Sequence, residues 1–382
     1  MDLFGEEPQL EELVSDEAQG VISGLGPPRA NALSFGFEQQ EEFLLKLYNS
    51  DKMPHALIFA GAQGIGKQTF AFRVARFLLS QDIADPAQDA LFGPDESSAP
   101  ISMDIGKDHP VFHRVAAGGH SDFLYIERQF DENKGVYKGG VEVAEIRRVA
   151  PFLRMTAGEG GWRVVIVNDA DTMNRNAQNA ILKILEEPPS HTLLILIAHR
   201  VGALIPTIRS RARVLNFQPL SRDNMQALLQ IQGHGLSDQE LAALYTLSEG
   251  SIERALSFIE QGGLDVMGRV IAMFEDYPGW RWSQINVVAE DFARPGNAAG
   301  FDMFQNVMQW ISAQLVKSKA RGLALPQGPL SSLKQFQDLL QKSSLDNLTK
   351  ICDNLQQHFD TVNHGNLDKR QATLKAFALF SE

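Results

Sequence analysis

Residues 56–69 read Ala56-Leu57-Ile58-Phe59-Ala60-Gly61-Ala62-Gln63-Gly64-Ile65-Gly66-Lys67-Gln68-Thr69, and this stretch decides the fold. An unbroken apolar run from Ala56 to Ala60 gives a buried strand of the kind found in parallel sheets. From Gln68 to Leu79 the pattern is helical, with Phe70, Val74, Phe77 and Leu78 on the inward face. A glycine-rich turn between strand and helix, spaced GxxxxGK, is a phosphate-binding loop. Its glycines let consecutive backbone N–H groups converge on phosphate oxygens. Lys67 neutralises the terminal phosphates, and the helix start adds a favourable dipole. The candidate nucleotide contacts are therefore Gly61, Gly64, Gly66, Lys67 and Thr69. One position departs from the pattern. The residue after the lysine is normally Ser or Thr, whose hydroxyl holds magnesium, and here it is Gln68, with Thr69 one place late.

Working outward, Phe123–Ile126, Val164–Val167, Leu193–Ile197 and Val214–Phe217 read as four more strands. Helical patterns start at Phe37 and run over Val143–Leu153 and Ala177–Glu187, the last stopped by Pro188-Pro189. Strands alternating with helices predict an α/β domain with a parallel sheet in three layers. After Pro219 the strands cease. Residues 221–260 read as three short helices and 265–382 as mostly helical, with Phe301, Phe304, Met308, Ile311 and Leu315 forming a core stripe. The predicted organisation is an acidic flexible tail over 1–30 and an α/β domain over 31–219 with an irregular insertion at 81–120. A small helical domain over 220–264 and a helical C-terminal domain over 265–382 complete it.

The 382 residues allow two or three domains, and 44% hydrophobic with 21% charged residues excludes wholesale disorder. No apolar run approaches the ~18 residues of a spanning helix, so no membrane partner is expected. The first twenty residues lack the charge and apolar pattern of a secretory signal. The single cysteine, Cys352, excludes an internal disulfide and a cysteine-rich zinc site. These features predict a cytoplasmic protein. Net charge is −12, so the chain is no general polyanion binder. Seven of the acids lie in residues 1–20, leaving −5 on the other 362. A local basic face remains open there: Arg147, Arg148 and Arg154 either approach DNA phosphates or form a solvated helix face.

An active P-loop ATPase ends its magnesium-binding strand in Asp-Glu, whereas Val164–Val167 ends in Asn168-Asp169. An amide lacks the charge a hard cation favours. The segment Asn179-Ala180-Ile181-Leu182-Lys183-Ile184-Leu185-Glu186-Glu187-Pro188-Pro189 resembles the NALLKxLEEPP segment of bacterial clamp-loader subunits, which are AAA+ proteins. Pro206-Thr207-Ile208-Arg209-Ser210-Arg211-Ala212 resembles their TIxSRC segment, with Ala212 in place of Cys. Pro54-His55-Ala56 and His120-Ser121-Asp122 also fit, and the likeness runs from about residue 34 to about 260. In this family the 220–264 segment is the helical lid, and 265–382 corresponds to the oligomerisation collar.

The resemblance separates two subunit types. The ATP-hydrolysing motor type carries Ser or Thr after the lysine, Asp-Glu at 168–169, and Arg two residues after Gly250-Ser251. This chain has Gln68, Asn168-Asp169 and Glu253, with Arg254 one place late and so turned about 100° around a helix. That pattern resembles the delta-prime type of the bacterial DNA polymerase III holoenzyme. The resemblance implies a ring subunit without ATPase turnover of its own. Its place is in a DNA-directed DNA polymerase (nucleotidyltransferase) assembly at the nucleoid-associated replisome. Its partners would be motor ATPase and delta-type subunits in a hetero-pentamer, and through them the sliding clamp and primer-template DNA. Arg211, after Ser210, would be an arginine finger acting in trans on the neighbour's ATP. No cofactor is required, and the phosphate loop would be empty, hold an adventitious anion, or hold unhydrolysed nucleotide. The family's four zinc cysteines are absent from 81–120, and the spacing of His109, His113 and His120 near Asp104 and Asp108 matches no standard metal pattern, so no metal is expected. Two competing readings remain: an active motor ATPase, and a free-standing AAA+ adaptor.

Overall fold

Among the described residues, apolar runs and turn signals build seven strands: β1 (Ala56–Ala60), β2 (Phe123–Ile126), β3 (Phe130–Asp131), β4 (Val136–Tyr137), β5 (Arg163–Val167), β6 (Thr192–Ala198) and β7 (Arg213–Asn216). The computed structural model describes residues 26–81, 99–132, 135–158, 161–294, 296–365 and 367–381. Residues 1–25 of the predicted tail and 82–98 of the predicted insertion lie outside them. Five strands form one parallel sheet in the order β2-β5-β6-β1-β7. Every residue of β1, β5 and β6 is buried, as a parallel sheet covered on both faces requires. The edge strand β7 is mostly exposed. The antiparallel pair β3–β4 was not legible in the sequence, because two residues per strand cannot show an alternation.

The helices of the α/β region are α1 (Glu38–Asn49), α2 (Lys67–Leu79), α3 (Pro110–Ala116), α4 (Val143–Ile146), α5 (Val149–Arg154), α6 (Arg175–Ala180), α7 (Leu182–Glu186) and α8 (Pro206–Arg209). Three expectations need correction. The 81–120 stretch is not irregular throughout, because α3 lies within it. His109 Nδ1 accepts from Val111 N, Pro110 sits at the first helical position, and Val111, Phe112 and Val115 are buried. The helix predicted over Val143–Leu153 is two, broken at Arg147-Arg148. Pro151 has no N–H for the Arg147 carbonyl and its ring crowds that oxygen, so it sits in the first turn of a new helix. The Ala177–Glu187 helix begins earlier, where Asn174 caps Ala177 N, and is divided at the buried Ile181.

The chain divides into two compact units, Met1–Leu220 and Ser221–Glu382. The second contains both predicted helical segments: α9 (Arg222–Ile231), α10 (Asp238–Ser248), α11 (Ile252–Glu260), α12 (Gly263–Phe274), α13 (Trp282–Phe292), α14 (Ala298–Arg321), α15 (Pro329–Ser332), α16 (Lys334–Lys342), α17 (Leu345–Gly365) and α18 (Lys369–Ala378). Serines cap the first three: Ser221, Ser237 and Ser251 each accept from a backbone N–H three residues on. The stripe Phe301, Phe304, Met308, Ile311 and Leu315 on α14 is buried. Phe274 of α12 meets Trp280, Phe336, Phe377 and Phe380 in an aromatic cluster.

A buried ion pair staples the entry ends of two neighbouring strands. Asp122 lies just before β2 and Arg163 opens β5; the guanidinium Nη2 is 2.9 Å from Asp122 Oδ1 and both side chains are buried. Gly158 N also donates to Asp122 Oδ1 at 2.9 Å, and Arg163 donates to the Phe152 carbonyl while lying over the Phe152 ring. Removing one partner of such a pair strands a buried charge. Asp122→Ala should therefore lower the stability of the α/β unit by about 3–5 kcal/mol, read as the shift of its urea transition.

Candidate functional site

The glycines of residues 61–66 do what the spacing asks. A Cβ on Gly61 would lie 2.5 Å from the Phe217 carbonyl, so only glycine fits where the loop leaves β1 beside β7. Gly64 and Gly66 have φ of 74° and 99°, left-handed backbone that glycine adopts without strain. Lys67 begins α2 and is buried. Its ammonium is turned onto its own loop: Nζ donates to Gly61 O at 2.9 Å and to Ala62 O at 2.5 Å, and lies 3.1 Å from His199 Nδ1.

The sheet order explains the rest of the site. Arg128, Asp169, His199 and Lys67 follow the carboxyl ends of β2, β5, β6 and β1, which are neighbours in that order. Their side chains join in the same order. Arg128 Nε is 2.8 Å from Asp169 Oδ2, Asp169 Oδ1 is 2.8 Å from His199 Nε2, and His199 Nδ1 meets Lys67. An ammonium has donors only, so His199 Nδ1 accepts and its Nε2–H donates to Asp169. A neutral imidazole serves both partners. Asp171 is buried and accepts from His199 N at 3.0 Å and Arg200 N at 3.2 Å, setting the turn after β6.

Asp169 has φ 49°, a left-handed conformation that aspartate tolerates. Burial pushes its carboxyl up, but the bond from His199 and the bond and charge of Arg128 outweigh this and hold it below its ordinary value. Gln68, at the position of the magnesium hydroxyl, donates to Tyr125 OH at 2.5 Å, and Tyr125 donates to Glu127 at 3.0 Å. Burial, followed by the Glu127 charge, drives the Tyr125 hydroxyl well above its ordinary value. Burial also raises Glu127, and the Tyr125 bond offsets only part of that rise. Thr69 is half-buried on α2, and Asn168 donates its backbone N–H to Ile126 O at 2.8 Å between β5 and β2. A magnesium ion does not fit these side chains as they stand: an amide, Asn168, replaces its carboxylate, Gln68 at the hydroxyl position is bonded to Tyr125, and Asp169 is held by Arg128 and His199.

Arg211 lies after α8, in the turn that enters β7. Its Nη2 is 3.1 Å from Glu186 Oε1 and its Nη1 donates to Thr207 O at 3.1 Å. The Glu-Glu-Pro-Pro and Ser-Arg segments are thus joined in space. Ser210 Oγ donates to Thr207 O at 3.2 Å and stays within its own turn. The Arg211 and Glu186 side chains are 36% and 52% exposed, and surface pairs of this kind contribute about 0–1 kcal/mol. In the helical unit, Arg254 pairs with Glu249 at 3.4 Å, which Lys317 shares at 3.3 Å. Arg147, Arg148 and Arg154 are exposed, Arg148 with Glu145 as a close partner at 2.6 Å. Of the histidines near the insertion, His109 caps α3 and His120 Nδ1 accepts from Asp122 N.

Sequence reasoning brought Lys67 and Asp169 together and missed Arg128, His199 and Tyr125. A usable signal existed for the first two: each follows closely on the carboxyl end of a strand, where open α/β sheets bind ligands.

The strand order, the phosphate loop after β1 and the Asn168-Asp169 turn after β5 define a P-loop protein of the AAA+ class. Residues 37–221 match the family described as "DNA polymerase III, delta subunit". Over this segment the chain is similar to the delta-prime subunits of DNA polymerase III. It is 33% identical over 220 residues to the DNA polymerase III subunit delta' of Pseudomonas aeruginosa, covering 57% of this chain and 59% of that protein. Identity to the subunit delta' of Bacillus subtilis is 30% over 187 residues, covering 48% and 49%. Replication factor C small subunit 2 of Pyrobaculum aerophilum is 25% identical over 237 residues, covering 61% and 60%. The chain therefore spans between 49% and 60% of the length of these relatives. Among the described residues no helix is long and apolar enough to cross a membrane.

A carboxyl held below its ordinary value stabilises the fold above the unfolded pKa and loses that contribution as pH falls through the folded one. The stability difference between the wild type and Asp169→Asn should be constant above about pH 4 and shrink below it. Urea unfolding across a pH series measures this.

Proposed function

We propose that this chain is a delta-prime-type subunit of a clamp loader and does not hydrolyse ATP itself. In this reading it assembles with motor ATPase and delta-type subunits into a hetero-pentamer that loads the sliding clamp on primer-template DNA. The helical segment 220–264 acts as the lid, 265–382 as the collar, and the assembly works in the cytoplasm at the replisome. Arg211 then reaches the ATP of a neighbouring motor subunit and stabilises charge on the transferring phosphoryl group.

One observation carries the reading. The magnesium carboxylate is replaced by the amide of Asn168, and Asp169, where a motor subunit has the water-positioning glutamate, is bound on both oxygens, by Arg128 and by His199. Gln68 stands where the magnesium hydroxyl belongs and is engaged by Tyr125. The arginine that would serve a neighbour, by contrast, sits on the surface in a pair weak enough to open. Any nucleotide or anion in the phosphate loop is, on this reading, held without turnover. The residues 147, 148 and 154 stay open between a DNA approach and a solvated face.

Steady-state ATP turnover by the purified chain should not exceed that of a Lys67→Ala control. Turnover that the control abolishes would make this a motor subunit. In the reconstituted complex, Arg211→Ala should reduce ATPase on the order of 10³-fold, the scale of an arginine finger. Unchanged ATPase in that variant removes the finger role. Failure to associate with other clamp-loader subunits would favour a free-standing adaptor.

A further inference from the structure

Lys67 is a buried cation, and a buried ammonium needs acceptors. Two acceptors are carbonyls of its own loop, Gly61 O and Ala62 O; another, His199 Nδ1, comes from a different strand. The imidazole is held from the far side, since Nε2–H donates to Asp169, which Arg128 fixes in turn. Its backbone is also held, by Asp171 Oδ1 on His199 N. The ring therefore cannot rotate away from Lys67 without giving up Asp169. A triphosphate entering the loop has to take Lys67 from an acceptor already in place and leave Nδ1 unpaired.

We propose that His199 is a positioning residue that keeps the phosphate-loop lysine turned onto its own loop, and so makes that loop a poor binder of triphosphate. The inference rests on the reading of the chain as a non-hydrolysing subunit and adds the cause to it. The gate is the neutral Nε2–H tautomer of His199, which is the form that accepts from an ammonium and donates to a carboxylate at once. Without the imidazole, Lys67 retains only loop carbonyls among these acceptors and turns to an incoming phosphate at smaller cost.

The probe is ATP in EDTA, titrated calorimetrically into the full-length chain, which keeps magnesium handling out of the readout. His199→Ala should bind it at least about tenfold tighter than the wild type, the factor expected for releasing one charge-assisted hydrogen bond. The gain should vanish in His199→Ala/Lys67→Ala. His199→Gln, whose amide donates to Asp169 and offers its oxygen to Lys67, should bind as weakly as the wild type. Equal affinity of a folded His199→Ala and the wild type overturns the proposal. Nitrogen-15 spectra of the imidazoles in the wild-type chain decide independently of any variant's folding. Protonation at Nε2 with a bare, accepting Nδ1 supports the gate, and protonation at Nδ1 overturns it. Turnover of magnesium-ATP by the wild type would sink the proposed function, whereas flat affinity in His199→Ala sinks only the assignment of His199.

Discussion

The parallel register of four neighbouring strands is the constraint on which the site depends. Ala60 pairs with Ala198, Val167 with Leu196 and Ile126 with Val167, so the carboxyl ends of β2 and β5 lie level with each other and two residues short of those of β6 and β1. Side chains from the segments that follow those ends, Arg128, Asp169, His199 and Lys67, meet because a parallel sheet keeps its strands close and co-directional. Register is in turn held by burial. β1, β5 and β6 have no exposed face, and a slip of one residue would exchange the side chains between the two covered faces. The Asp122–Arg163 pair adds a fixed point at the opposite ends of β2 and β5.

Among those side chains, donors meet acceptors along one hydrogen-bond chain. A guanidinium meets a carboxylate, the carboxylate meets a neutral imidazole, and the imidazole meets an ammonium. Such a network is costly to leave half satisfied and stable when every member has a partner. Through it the phosphate-loop lysine and the Asp169 carboxylate are both engaged by protein side chains. The departures from the ATPase pattern at Gln68 and Asn168-Asp169 therefore belong with Arg128, His199 and Tyr125, which occupy the groups that remain. Arg211 lies outside this network, in a shallow surface pair, which is the environment a side chain needs if it is to leave for a neighbour.

Much of the fold was legible because its signals are local. The strand at 56–60 and the loop at 61–67 are set by apolar runs and glycines, and the three capped helices after residue 220 by serines at their starts. Where local signals conflict, the reading failed. Pro151 lies inside an apolar periodicity that spans Val143–Leu153, and the proline decided the break. Helix α3 was hidden in a stretch rich in turn residues, because seven residues carry too little periodicity to stand out. Arg128 and His199 gave no motif, since each acts through a residue on another strand.

The sequence by itself determined the class of the chain: a P-loop α/β unit followed by helices, with degraded magnesium positions and an intact Ser-Arg segment. These are properties of residue type and spacing along the chain. The tertiary structure alone decided which side chains hold Lys67 and Asp169. The partners of Lys67 and Asp169 are 132 and 41 residues away, His199 and Arg128 respectively. Only the order of strands in the sheet brings them within hydrogen-bonding distance, and strand order is set by packing, not by any local signal.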